Sequence, residues 1–409
     1  MNILVIHAHT SNRGDESAVK AMVDELLTLY PDASITICLS GTTPYPNMPE
    51  QVTFLERFPR VRKRLEQLEF LFAVPTNAKF VVSKNARHFF EVLKNTDLVI
   101  HAPGGPSIGD IYAKVELLYL WRLDFIRKRN IPYMFYAPSM GPFTMKKRNK
   151  LRKKILLGAE RVIVRDPISL GYLHETFPQV HAVQTLDSAF QHDVNLAENE
   201  GKFNCYGELK RFVQEHPKCI GITISDLTWH PSYKDSPVAA LLPETMHKFI
   251  ASRIKEGYGI VFIPQLYGAN NDTIVMAQYM EKEHTFMVDA FDDRYDSYFQ
   301  QYLIGKLYAV VGMRYHSNIF SAKMGTPFVS ISYEQKMKGF MESVNLSDYC
   351  IDVEMLSGEI LEEYFQKLLH NYDSYKARLQ RLHPEMKMRS YQTTHIVAEL
   401  LNELGYKEK

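Results

Sequence analysis

Along most of this chain short apolar runs alternate with longer stretches in which apolar residues recur at helical spacing. Residues 2–7, 34–39, 97–101, 132–137 and 162–164 are continuous apolar runs of strand length, and 219–224, 259–264, 307–311 and 328–332 repeat the pattern later. Runs without polar alternation read as strands buried on both faces, as in parallel sheets. Residues 17–30, 116–129, 147–157, 241–255, 273–283 and 317–324 read as helices between them, followed by 358–370, 375–381 and 393–404. Pro167 suits the first turn of a further helix, and Gly325 with Pro327 ends the one over 317–324. Residues 49–84 give no decisive pattern. The polar stretch 191–218 separates the two blocks. This alternation predicts an α/β fold of two doubly wound, Rossmann-like domains facing a cleft. The boundaries fall at 1–195 for an N-terminal domain, 196–218 for a linker and 219–380 for a C-terminal domain. A helical segment, 381–409, follows.

Composition narrows the function classes. A chain of 409 residues is long for one core. A net charge of +1 argues against a dedicated nucleic-acid binder, which is usually markedly basic. Cys38, Cys205, Cys219 and Cys350 are scattered, with no CxxC pair and no metal-type spacing, so they read as reduced thiols, and neither a metal nor a cofactor is expected. The amino terminus reads as a first strand rather than a charged leader. No apolar run approaches the roughly 20 residues of a membrane span. A cytoplasmic protein, at most peripheral to a membrane, is expected.

The densest chemistry lies in Gly312-x-Arg314-x-His316, placed between a strand and a helix, and in Tyr333-x-x-Lys336 after the next strand. The carboxyl ends of strands in open α/β sheets bind ligands, because helix amino ends point N–H groups and partial positive charge there. Arginine fits a carboxylate or phosphate with two parallel donors, and histidine exchanges protons near neutral pH. Arg314, His316 and Lys336 therefore suggest a pocket for a small, multiply charged anion, with Tyr315 beside them. The bland alternatives are a surface ion pair for Arg314, a carbonyl-satisfied ring for His316 and a Glu334 partner for Lys336. Arg165, ending a strand of the first block, is equally compatible with a ligand or with a surface ion pair. The glycine-rich loop 104–110 allows close backbone approach, but it lacks the spacing of a dinucleotide or P-loop site. Asn12-Arg13-Gly14-Asp15 after the first strand reads as a turn or as part of a sheet-edge site. The basic run 146–154 reads as a solvated helix face or as a docking element for an anionic membrane surface or a pyrophosphate-linked lipid. His7 and His9 read as structural neighbours of the first strand end.

Together these blocks resemble the polysaccharide pyruvyl transferases. Asn12-x-Gly14-Asp15, Gly104-Gly105 to Gly109-Asp110, Arg165-Asp166-x-x-Ser169 and the Arg314 to Lys336 signature match in order, with Asp187-x-Ala189-Phe190 closing the first domain. His101-Ala-Pro stands where the family usually has a longer glycine run. The resemblance implies a fold similar to the glycosyltransferase B type, with an acceptor-side first domain, a donor-binding second domain and a terminal helix packing back on the first. It implies that phosphoenolpyruvate donates a pyruvyl group to two hydroxyls of a sugar, forming a cyclic ketal and releasing phosphate. His316, Arg165 and Lys336 take the catalytic positions, while Arg314, Arg165, Lys336 and Tyr315 take the donor-binding ones. Asn12, Asp15, Gly105 and Asp110 are the acceptor candidates, expected on first-domain loops. The implied partners are phosphoenolpyruvate and a sugar acceptor, lipid-linked or free, in cell-surface polysaccharide assembly. Rival readings are a nucleotide-sugar glycosyltransferase of the same architecture and a non-catalytic glycan- or anion-binding protein.

Overall fold

The computed structural model describes every residue except 42, 77, 106, 269, 270 and 409. Pro106 of the glycine-rich loop lies outside the described residues. The chain divides into two compact units. The first comprises Met1–Thr10, Ala18–His192 and Arg389–Lys409, and the second Ser11–Ser17 and Asp193–Met388.

The strands of the first unit are β1 (Asn2–Ala8), β2 (Ser34–Leu39), β3 (Val52–Glu56), β4 (Leu98–His101), β5 (Tyr133–Phe135), β6 (Arg161–Val164) and β7 (Ala182–Gln184). They form one sheet in the order β3-β2-β1-β4-β5-β6-β7, and every pairing is parallel. Successive side chains of β1 feed opposite faces: Leu4 and Ile6 enter one core, Ile3 and Val5 the other. This is why its apolar run is continuous. The chain winds outward from β1 in both directions, so the strand order reverses between β1 and β4.

In the second unit the strands are β8 (Cys219–Thr223), β9 (Gly259–Phe262), β10 (Thr285–Met287), β11 (Ala309–Gly312), β12 (Phe328–Ser332) and β13 (Cys350–Asp352). Their order is β10-β9-β8-β11-β12-β13, again all parallel, with the reversal between β8 and β11. The stretch 196–218, expected to be a linker, instead forms helices Leu196–Cys205 and Gly207–Glu215. Their polar sequence conceals Phe203, Leu209 and Phe212, which the second unit buries. One helix, Tyr372–Glu403, runs through Pro384 without a break. Its last part packs in the first unit, where Val397, Ala398, Leu400 and Leu401 join the core. Among the described residues, no helix is long and apolar enough to cross a membrane.

Candidate active site

Arg314 and His316 lie where the second sheet reverses its order. The Thr223 hydroxyl at the end of β8 accepts from the backbone N–H groups of Met313 and Arg314, at 3.0 and 3.1 Å. The turn leaving β11 is thereby fixed to the neighbouring strand. A Cβ on Gly312 would come within 2.0 Å of Asn318 Oδ1, so only glycine lets the following helix, Tyr315–Met324, close on the strand. Arg314 is buried and its guanidinium pairs with Asp272 through Nη2 and through Nε at 3.2 Å, with Nη1 3.4 Å from the Tyr333 hydroxyl. Burial opposes its charge, but the Asp272 carboxylate outweighs that and holds the guanidinium above its ordinary pKa. Asp272 also accepts from the backbone N–H groups of Gln265 and Leu266. One edge of Arg314 is thus occupied inside the protein.

Residues 11–17 are packed in the same unit, so Asn12 and Asp15 do not sit on a first-domain loop. The cause is Arg13, fully buried between the Glu16 carboxylate at 2.7 Å, the Ala290 carbonyl at 2.7 Å and the Tyr267 ring. Asn12 caps helix Arg13–Leu29: its Oδ1 accepts from Gly14 N–H at 2.8 Å, and its Nδ2 donates to Asp15 Oδ2 at 2.9 Å. Gly14 lies directly against His316. A Cβ there would stand 2.1 Å from His316 Nδ1 and 2.4 Å from Cγ. The Asn-x-Gly-Asp block thus seats the imidazole.

Lys336 pairs with Glu334 at 2.7 Å and passes 5.9 Å from the Tyr315 ring. Glu334 is buried and also faces His230 Nε2 at 3.7 Å, while His230 Nδ1 accepts from Ser232 N–H at 3.2 Å. That acceptor role places the neutral ring's proton on Nε2, toward the carboxylate. Burial lowers the His230 pKa against the pull of Glu334.

In the first unit, Arg165 is buried at the end of β6. It donates to Asp187 at 2.5 Å and to the Ser139 hydroxyl at 2.9 Å. Asp166 accepts from Ser139 and from both the N–H and hydroxyl of Ser169, capping helix Pro167–Thr176. Asp187 accepts from Ala189 N–H. Two blocks distant in sequence therefore form one polar network. Asp110 is tied to Arg152 at 2.6 Å and to Thr144 and Met145 N–H, and although burial opposes it, Thr144 and Arg152 hold its carboxyl below the ordinary range. Gly105 accepts from Ser107 N–H. Within the basic helix Lys146–Leu157, Arg148 and Arg152 turn inward to Glu116, whereas Lys146, Lys147, Lys150 and Lys154 are exposed.

Residues 12–335 match the family model described as polysaccharide pyruvyl transferase. The chain belongs to the polysaccharide pyruvyl transferase family. This pyruvyl transferase homologue is 23% identical to the amylovoran biosynthesis protein AmsJ of Erwinia amylovora, over 99% of this chain and 100% of AmsJ. Membership makes it a transferase of polysaccharide biosynthesis. Its fold is shared with UDP-GlcNAc 2-epimerase from Neisseria meningitidis bound to UDP-GlcNAc, at 13% identity and TM-score 0.57, covering 98% of this chain and 100% of that one. Sucrose-phosphate synthase from Thermosynechococcus elongatus gives 12% and 0.54, covering 98% and 100%, and the S. aureus MnaA–UDP structure 9% and 0.58, covering 99% and 97%. These likenesses establish a GT-B-like pair of Rossmann-type domains. Within this candidate site of the pyruvyl transferase homologue, Asp272, His230 and the seat made by Gly14 went unrecognised in the sequence. Asp272 stands 42 residues before its partner Arg314, and no local spacing announces the pair.

Proposed function

We propose that this chain transfers a pyruvyl group from phosphoenolpyruvate to two hydroxyls of a sugar in a cell-surface polysaccharide or its lipid-linked precursor. A cyclic ketal forms and phosphate is released. The observation that carries the reading is the seating of His316 against Gly14 at the second sheet's reversal point, two residues after the buried cation Arg314. One sugar hydroxyl adds to the enol carbon while the methylene gains a proton. The carbon–oxygen bond to phosphate then breaks, and the second hydroxyl closes the ketal, its proton leaving with phosphate. His316 is the proton carrier. Lys336 offsets charge on the departing phosphate, and Arg314, held by Asp272, keeps a permanent positive charge at the donor's anionic end. Tyr315 flanks Lys336. Arg165 enters the scheme as a donor ligand by its match to the family, and Asn12, Asp15, Gly105 and Asp110 remain the acceptor candidates. The internal bonds of Asn12 and Asp110 favour positioning over direct recognition for those two. We place the enzyme in the cytoplasm, with the exposed lysines of helix Lys146–Leu157 facing anionic lipid.

The test is phosphate release by His316→Ala with donor and a pyruvylatable acceptor. Loss of about a hundredfold or more is expected, and near-wild-type turnover removes His316 from the chemistry. Protection of the site by phosphoenolpyruvate but not by a nucleoside diphosphate separates this reading from nucleotide-sugar transfer.

A further inference from the structure

A second cluster of nitrogen-bearing side chains, most of them buried, lies in the first unit, and the reaction above does not use it. His7 is at the carboxyl end of β1 and His101 at that of β4, the two strands flanking the reversal of the first sheet. Arg57 follows β3, and helix Ala113–Lys128 contributes Tyr119 and Arg122. Tyr119 gathers them: its ring stacks on His7 at 4.1 Å, and the guanidinium carbons of Arg122 and Arg57 lie 5.2 and 5.8 Å from its centre. His101 meets His7 edge-on at 4.7 Å. His7, His101, Tyr119 and Arg122 are each at most 2% exposed.

Several polar nitrogens of this cluster are unmatched. Arg122 donates from Nη2 to the Pro59 carbonyl at 3.2 Å, Arg57 from Nη1 to the Tyr119 hydroxyl at 3.1 Å, and His101 Nδ1 lies 2.9 Å from the Ala102 carbonyl. Nε and Nη1 of Arg122, Nε of Arg57, Nε2 of His101 and both ring nitrogens of His7 are buried without a hydrogen-bond partner. The other large buried arginines all meet carboxylates: Arg13 with Glu16, Arg152 with Glu116, Arg165 with Asp187 and Arg253 with Glu362. Arg122 is the exception among the described residues. The groups acting on it are Arg57, which repels, and the neutral side chains of Cys38 and Tyr119. Water satisfies N–H groups but brings no negative charge, and a buried, unpaired cation is among the costliest arrangements in a fold. His7 also holds a left-handed backbone, φ 64°, a form of strain that clusters at ligand sites. Burial lowers both imidazoles, His101 to about 4, so each is neutral near pH 7; His101 gives its one N–H to the Ala102 carbonyl, while His7 still offers one.

We propose that Arg57, Arg122 and His7, beside His101, form a binding site for a free small oxyanion of the charge of orthophosphate. The reversal point of a doubly wound sheet is where such folds take ligands, and two guanidinium groups supply the charge. Enclosure favours the free ion over a phosphate carried on a bulky group. The donor chemistry proposed above assigns no role to these residues.

The experiment is thermal unfolding of the full chain in phosphate-free buffer, titrated with inorganic phosphate against sodium chloride of matched ionic strength. The background is His316→Ala with Lys336→Met, which removes the phosphate contacts assigned to the second unit. A saturable rise in the midpoint with phosphate, absent with chloride, is expected in that background. Adding Arg122→Met weakens phosphate affinity by about tenfold to a hundredfold, while leaving the phosphate-free midpoint no lower, since a buried unpaired charge has gone. Should Arg122→Met not fold, Arg57→Met is read in the same way. No phosphate response in the background protein, or one that survives both arginine substitutions, overturns the site. Equal stabilisation by glucose 1-phosphate overturns the assignment to a free ion.

Discussion

Gly14 is worth as much to His316 as any side chain around it. The first turn of helix Arg13–Leu29 presents a bare Cα to the imidazole, and the ring occupies the volume that any side chain would need. Gly14→Ala is therefore expected to displace the ring and lower phosphate release by about a hundredfold, the scale of a lost proton carrier. Its effect on stability is smaller, about 1–3 kcal/mol for overpacking. Turnover and urea unfolding measured on one preparation test this, and unchanged turnover would show that the ring's placement is immaterial. Asp272→Asn probes the opposite kind of contact. It strips the buried Arg314 of its counter-charge and should cost about 3–5 kcal/mol, read as a lower denaturant midpoint. A midpoint within error of wild type would mean that the ion pair carries no stability. The Asn-x-Gly-Asp block was visible in the sequence, but its job was not, because residue 14 meets residue 316 only in the folded chain.

At the scale of elements, the strands that apolar runs announced are the inner ones. The four that went unread are β3, β7, β10 and β13, and these are the edges of the two sheets. An edge strand is short and buries few side chains: β7 and β13 contribute three residues each, with no fully buried residue in β7. Its periodicity is too brief to register. Helix starts were misjudged for a related reason. The helix expected from residue 17 begins at Arg13, because an arginine and two acids in its first turn hid a buried ion pair behind a polar sequence. The Gly312-x-Arg314-x-His316 hub was legible because strand, turn and helix are consecutive there. The basic helix Lys146–Leu157 divides its charges by face, arginines to internal acids and lysines outward. Replacing Lys146, Lys147, Lys150 and Lys154 with glutamine should abolish co-sedimentation with phosphatidylglycerol vesicles, since each basic residue contributes about 1 kcal/mol near an anionic surface. The unfolding temperature should not move. Undiminished sedimentation would remove the helix from membrane contact.

Across the whole molecule, His101 makes the fold sensitive to acid. The His101 pKa falls from 6.5 to about 4 on burial. Between those values the unfolded chain binds a proton that the folded chain refuses, so stability is full above pH 6.5 and drains away as pH falls. His101 alone accounts for roughly 3 kcal/mol across that window. Asp110 acts in the same direction at lower pH, because its depressed carboxyl favours the fold only while ionised. In phosphate-free buffer the urea midpoint should drop steeply from pH 7 to 4.5, and His101→Gln should flatten the slope; an unchanged slope would mean that His101 does not set the acid limit. The division of the chain at residues 11–17 has a practical corollary for anyone taking it apart. A fragment cut at 193–388 would lose Glu16, which accepts from Ser297 N–H, and Ser17, whose hydroxyl accepts from the Gln301 amide. Chimeras between relatives that exchange halves at a single crossover would split this heptapeptide from its socket. Grafts that carry it along as a second, separate insert should be the ones that express.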